Sequence, residues 1–174
     1  MTETNHAGDS GRPEPPTPPT AAFTLPNGGP GPDPLTLSEL DATLAVVLFF
    51  RDRFSGTCRR RAVRMARNRD AFRERDVAVV SVLPESKAVA TAWADARDVP
   101  LPTLADTDGE TAARYGQPTR FGRLGRRIDL LGRMPLTALV DLRAEPEILW
   151  RYGGETADDW PTVETLLTEV EKFA

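Results

Sequence analysis

The chain has 174 residues, 40% of them apolar and 28% charged, a net charge of −4 and one cysteine. This composition suits a single soluble domain with an ordinary core. It excludes an internal disulfide, offers no run near the roughly 20 apolar residues of a membrane span, and gives the whole chain no general attraction for nucleic acid. Charge is unevenly spread. Twenty of the 22 basic residues are arginine, eight of them between Arg59 and Arg75 and six between Arg114 and Arg133.

Residues 1–20 are rich in Pro, Thr, Glu and Gly with little apolar content, and are expected to form a disordered tail preceding a domain over 21–174. The start lacks the basic segment and apolar core of a secretion signal, so a cytoplasmic location is expected. His6, the one histidine, falls in the tail, which leaves neither a metal site nor a histidine base to expect. No cofactor is expected either.

Ala22–Pro26 and Leu35–Leu37, joined by the turn-rich Asn27–Pro32, read as a short hairpin. Ser38 opens a helical turn. Residues 43–50 form a central strand, and a helix follows from near Thr57 to about Arg75. Cys58, Ala62, Met65 and Phe72 lie near one face, with Val63 and Ala66 beside it, and arginines on the opposite face. Residues 76–82 are a continuous apolar run, expected of a strand covered on both sides. Pro84 and Glu85 start the next helix, with Val89, Ala92, Trp93 and Ala96 inward. Residues 99–104 are extended, and Asp108 begins a helix that Gly116 stops. Residues 117–134 read as a loop. Strands over 136–141 and 147–152 form a second hairpin, and a helix over about 157–172 closes the chain. The fold class is an α/β sandwich with a mixed central sheet flanked by helices.

Cys58 stands where the central strand gives way to a helix. Unpaired N–H groups and partial positive charge at a helix start favour a thiolate, and Arg59, Arg60 and Arg61 follow directly. Such surroundings lower a thiol pKa. A lone cysteine more often behaves as a small buried hydrophobe, but this position displays it, so Cys58 is the candidate nucleophile. Ser55, three residues earlier, is a hydrogen-bond donor to sulfur or substrate, or an ordinary helix N-cap.

These motifs, taken in order over about 21–172, resemble the peroxiredoxins of the alkyl hydroperoxide reductase and thiol-specific antioxidant type, in the thioredoxin-like superfamily. Phe23-Thr24-Leu25-Pro26 with Leu35–Leu40 is similar to the family's opening hairpin, and Val46–Phe50 up to Cys58 to the strand and loop carrying the peroxidatic cysteine. Leu104–Glu110 with Ala113–Gly116, and Pro135–Asp141, resemble two later motifs. In the family's PxxxTxxC pattern, Cys58 takes the cysteine place and Ser55 the threonine place, while Arg51 replaces the proline. Pro135 stands where the family has an arginine. It resembles instead the proline of the thioredoxin branch, which is expected to be cis.

The resemblance implies a one-cysteine thiol peroxidase acting on hydrogen peroxide or organic hydroperoxides. Cys58 is the implied nucleophile and Ser55 the donor to the peroxide. Arg133, or failing that Arg59, polarises the O–O bond, while Phe50, Thr57 and Pro135 line the pocket. The implied partners are an external reductant, thioredoxin-like or a low-molecular-weight thiol, and, as one option, a second copy in a homodimer. Neither nucleic acid nor membrane is implied. Two alternatives stay open: a thioredoxin-fold binding module without turnover, and a thiol-exchange protein.

Overall fold

The computed structural model describes residues 20–119 and 132–174. The expected tail, apart from Thr20, and most of the expected loop over 117–134 lie outside them. The hairpin forms from β1 (Thr24–Leu25) and β2 (Leu35–Thr36), antiparallel with Leu25 opposite Leu35. Asn27 braces its turn, donating to the carbonyls of Pro30 and Pro32 while its side-chain oxygen accepts from the Gly29 and Thr103 N–H groups. A single 3-10 turn, Leu37–Glu39, follows without a side-chain cap, so Ser38 lies inside the turn rather than opening it.

The main sheet has five strands. β3 (Leu44–Phe49) is central; β4 (Val77–Leu83) and then β5 (Thr103–Ala105) run parallel on one side, and β6 (Leu136–Asp141) and β7 (Glu147–Gly153) run antiparallel on the other. Side chains on a strand alternate between faces, and β3 is apolar throughout because both faces are covered. Leu44, Val46 and Leu48 enter one core layer with Cys58, Met65, Trp93 and Leu166. Ala45, Val47 and Phe49 enter the other, against the hairpin residues Phe23, Leu35 and Leu37 and against Tyr115. Phe49 stands opposite Val82 and Leu136, so the three middle strands end together where the chain turns towards Cys58.

Five helices flank the sheet among the described residues: α1 (Gly56–Arg67), α2 (Arg69–Arg73), α3 (Lys87–Asp95), α4 (Glu110–Tyr115) and α5 (Val163–Phe173). The helix expected as one piece up to Arg75 is divided at Asn68, whose backbone leaves the helical region and whose side chain donates to the Arg64 carbonyl at 2.8 Å. That local bond competes with helix continuation. α3 starts later than expected because Ser86 caps it. Its inward residues are Ala90, Trp93 and Ala94, while Ala92 and Ala96 are exposed. α5 starts after Pro161, with Thr162 as its cap, which leaves Trp160 in the preceding segment. Gly116 ends α4 at φ +78°, the left-handed conformation a helix stop needs.

Candidate active site

The chain leaves β3 through Phe50 and makes a tight polar loop before α1. Asp52, nearly buried, organises it: its Oδ1 accepts from the Phe54 N–H at 2.7 Å and the Ser55 N–H at 2.8 Å. An aspartate that bonds backbone two residues on is a natural turn former. Ser55 then caps α1, its Oγ accepting from the Cys58 N–H at 3.3 Å. The Ser55 and Thr57 hydroxyls are 2.8 Å apart, and Thr57 donates to the Ala157 carbonyl at 2.9 Å. With the Thr57 hydrogen so committed, Ser55 is the donor of that pair.

Cys58 is therefore the third residue of a capped helix, as its position after the strand predicts. Its Sγ accepts the Arg51 N–H at 3.4 Å. Arg51 has this N–H to give because it replaces a proline of the motif the chain resembles. The Arg51 side chain turns away, its Nε donating to the Arg133 carbonyl at 2.7 Å. Gln117 binds the same region from a third element, its Nε2 donating to the carbonyls of Phe50 and Met134 at 3.3 and 3.0 Å.

The electrostatics differ from the expectation of a lowered thiol pKa. Cys58 is 0% exposed, and burial pushes its pKa up from the ordinary 9.0. The Asp52 charge adds to the rise, while the Ser55 hydroxyl and the backbone N–H groups of Arg51 and Asp52 oppose it without prevailing. Burial disfavours the charged form, and no guanidinium is among the groups that counter it. The arginines after Cys58 lie elsewhere. Arg59 and Arg60 are exposed on the outer side of α1, and Arg60 pairs with Asp158 at 3.5 Å. Arg61, expected on the outer face, is 5% exposed, with its guanidinium carbon 5.6 Å from the Trp160 ring centre. Arg59 thus stands apart from the sulfur, contrary to the role expected of it.

Arg133 bears on a different wall. Its guanidinium packs over Gly109, where an added Cβ would come within 2.5 Å of Nη2. With Arg51, Arg53 and Asp52 it lines a cleft of about 330 Å³ over the loop. Phe50 is core rather than pocket wall, its ring 5.6 Å from Trp93 and 5.7 Å from Trp160. Thr57 is half-buried and held by its two hydroxyl bonds. Pro135 is buried, but its peptide bond is trans; among the described residues the cis bond is Asp33–Pro34. The chain around Pro135 is held extended on both sides. Met134 N–H donates to Pro118 O at 2.8 Å, Gly154 N–H donates to Pro135 O at 2.8 Å, and Arg133 bridges Thr119.

Two groups of this site escaped the sequence reading. Asp52, three residues before Ser55, carries a usable signal, the aspartate that starts a polar turn. Gln117 carries none, since its partners come from distant strands. Among the described residues no group of three or more His, Cys, Asp or Glu side chains could hold a metal ion, and no helix is long and apolar enough to cross a membrane.

A five-stranded mixed sheet, an N-terminal hairpin and a cysteine in the first turn of the helix after the central strand define a thioredoxin-like fold of the peroxiredoxin kind. The family model described as AhpC/TSA family matches residues 18–141, and the chain belongs to that family. It is similar to the peroxidoxin BcpB of Mycobacterium tuberculosis, at 22% identity and a TM-score of 0.71, over 89% of this chain and 95% of that one. It is similar also to a cysteine-to-serine mutant of peroxiredoxin Q from Xanthomonas campestris (14%, TM-score 0.70, 87% and 92%). AhpC of Enterococcus faecalis matches at 19% identity and a TM-score of 0.70, over 87% of each chain. No curated protein sequence matches the chain.

Proposed function

We propose that the protein reduces hydrogen peroxide or organic hydroperoxides at Cys58, using an external thiol as reductant. One observation carries this reading. In a chain of the AhpC/TSA family, the one cysteine lies in the first turn of α1 with the Arg51 N–H on its sulfur at 3.4 Å and the Ser55 hydroxyl beside it. Both groups favour the thiolate. In the reaction the Cys58 sulfur, as thiolate, attacks a peroxide oxygen. The O–O bond breaks, an alcohol or water leaves with the proton, and Cys58 becomes the sulfenic acid. One external thiol then condenses with it, releasing water and forming a mixed disulfide. A second thiol displaces Cys58, which is restored.

Because the sulfur is fully covered, reaction requires local opening of the loop over 51–56. Such opening is characteristic of segments with few apolar contacts. Ser55, freed from Thr57, donates to the peroxide. Arg133 and Arg51 supply positive charge from the cleft, and Arg59 is given no role. A thioredoxin-like protein or a small thiol is the reductant, a homodimer the assembled form, and the cytoplasm the location. Measurement of peroxide consumption with a dithiol reductant tests the reading: turnover in the native chain, absent in Cys58→Ser, is expected.

A second reading, a binding module of the same fold without turnover, is favoured by the sealed sulfur and by Arg51 in place of the proline. Equal peroxide consumption by the native chain and Cys58→Ser would establish it over the first. A mixed disulfide with a partner protein, formed without dependence on peroxide, would instead favour thiol exchange.

A further inference from the structure

A wide groove lies away from the cysteine cleft, between the outer side of α1 and the segment 158–162 that leads into α5. It encloses about 690 Å³ and is lined by Arg59, Arg60, Arg61, Arg64, Arg67 and Trp160, among others. Five guanidinium groups there face one carboxylate, Asp158, in a chain whose net charge is −4. Exposed arginines alone would be an ordinary solvated helix face. Arg61 makes the difference.

Arg61 is 5% exposed, and its Nε and Nη2 are buried without any hydrogen-bond partner. Guanidinium N–H groups are strong donors in a fixed fork, and a buried donor left unpaired is costly. The group is held in place by the Trp160 ring, 5.6 Å from its guanidinium carbon, an attraction that orients a cation without satisfying its donors. Burial lowers its pKa to about 10, with the Arg64 charge adding to the fall. The protein therefore places a buried cation in a concave site and leaves two of its donors unpaired, the one carboxylate there, Asp158, being paired with Arg60.

We propose that this groove binds a multiply charged phosphate, of the diphosphate or triphosphate class, with Arg61 at its floor and Arg59, Arg64 and Arg67 on its rim. The guanidinium fork matches phosphate oxygens two at a time. A diphosphate spreads its charge over several oxygens, which suits several arginines better than a single carboxylate does. The volume falls in the range of small-molecule sites. A free polyphosphate and a nucleotide share this chemistry.

The test titrates pyrophosphate, ADP and malonate into the full chain, followed by calorimetry and tryptophan fluorescence. Saturable binding of pyrophosphate is expected, at least tenfold weaker in Arg61→Met and in Arg64→Gln, and unchanged in Arg73→Gln, which lies outside the groove. Arg61→Met is near in volume and removes the unpaired charge. It is expected to raise the melting temperature without ligand and to abolish the further rise that pyrophosphate gives the native chain. Should it fail to fold, the exposed Arg64→Gln carries the test. Tighter binding of ADP than of pyrophosphate points to a nucleotide, and equal binding to a free polyphosphate; both support the site. No saturable binding, tighter binding of malonate, or an equal loss in Arg73→Gln would overturn it.

Discussion

Ser55 joins the fold to the chemistry, and Ser55→Ala separates what it gives each. The hydroxyl accepts the Cys58 N–H at 3.3 Å and donates to Thr57, whose oxygen is 2.8 Å away. Removing a serine cap costs about 0.5–2 kcal/mol, and the long acceptor distance argues for the lower half of that range. Loss of the bond to Thr57 adds about 0.5–1 kcal/mol, since a net hydrogen bond contributes on that order. The sum is about 1–2 kcal/mol, or a fall in melting temperature of roughly 2–8 °C for a domain of this size. At the sulfur, the same change removes the strongest group opposing the rise in thiol pKa. The rate of Cys58 alkylation by iodoacetamide, measured against pH, should therefore shift to still higher pH. Even an unperturbed thiol at 9.0 would be only about 1% thiolate at pH 7, so the native chain should alkylate slowly at neutrality. A profile that stays in place or moves down in Ser55→Ala, with stability unchanged, would refute this account of the capped cysteine.

Asp106, buried at the start of α4, accepts the N–H groups of Thr111 at 3.2 Å and Ala112 at 2.8 Å. Asp106→Ala strands both donors and should cost about 2–4 kcal/mol by urea unfolding; a loss under about 0.5 kcal/mol would contradict this. Tyr115 is fully buried and its hydroxyl donates to the Ala21 carbonyl at 2.6 Å, so Tyr115→Phe should cost about 1 kcal/mol and free the start of the hairpin. For pH, the sign follows from the raised thiol pKa of Cys58. The unfolded chain releases that proton first, so the contribution is complete below the ordinary 9.0 and is lost as pH rises through the folded value. Urea midpoints should thus decline more steeply in the native chain than in Cys58→Ala as pH rises past the ordinary thiol value of 9.0, and parallel declines would dismiss the effect.

Much of this molecule is legible in its residues. The apolar runs at β3 and β4, the entry of β6 through Pro135 and the glycine stop at Gly116 each follow from local rules that the tertiary structure obeys. So does the placement of Cys58 in the first turn of a helix. What local rules could not supply is the environment that packing creates around those residues. Helix polarity and neighbouring arginines pointed to a low thiol pKa, but the side chains of Arg59 and Arg60 leave on the outer side of α1 while the sulfur turns inward. Burial then outweighs the dipole. Arg61 was open to detection, since it lies three residues after Cys58 and four before Met65, beside the buried stripe. The conformation at Pro135 depends on Pro118 and Gly154, brought in from distant segments.

The central claim is that Cys58, although covered, is the atom that takes oxygen from a peroxide. Mass spectrometry of the native chain after one equivalent of hydrogen peroxide, with a sulfenic-acid trap present, tests it most directly. The trap should be found on Cys58, its yield rising with pH over the same interval as alkylation. A chain whose Cys58 stays a free thiol while the oxygen appears on Met65 or Met134 would contradict it.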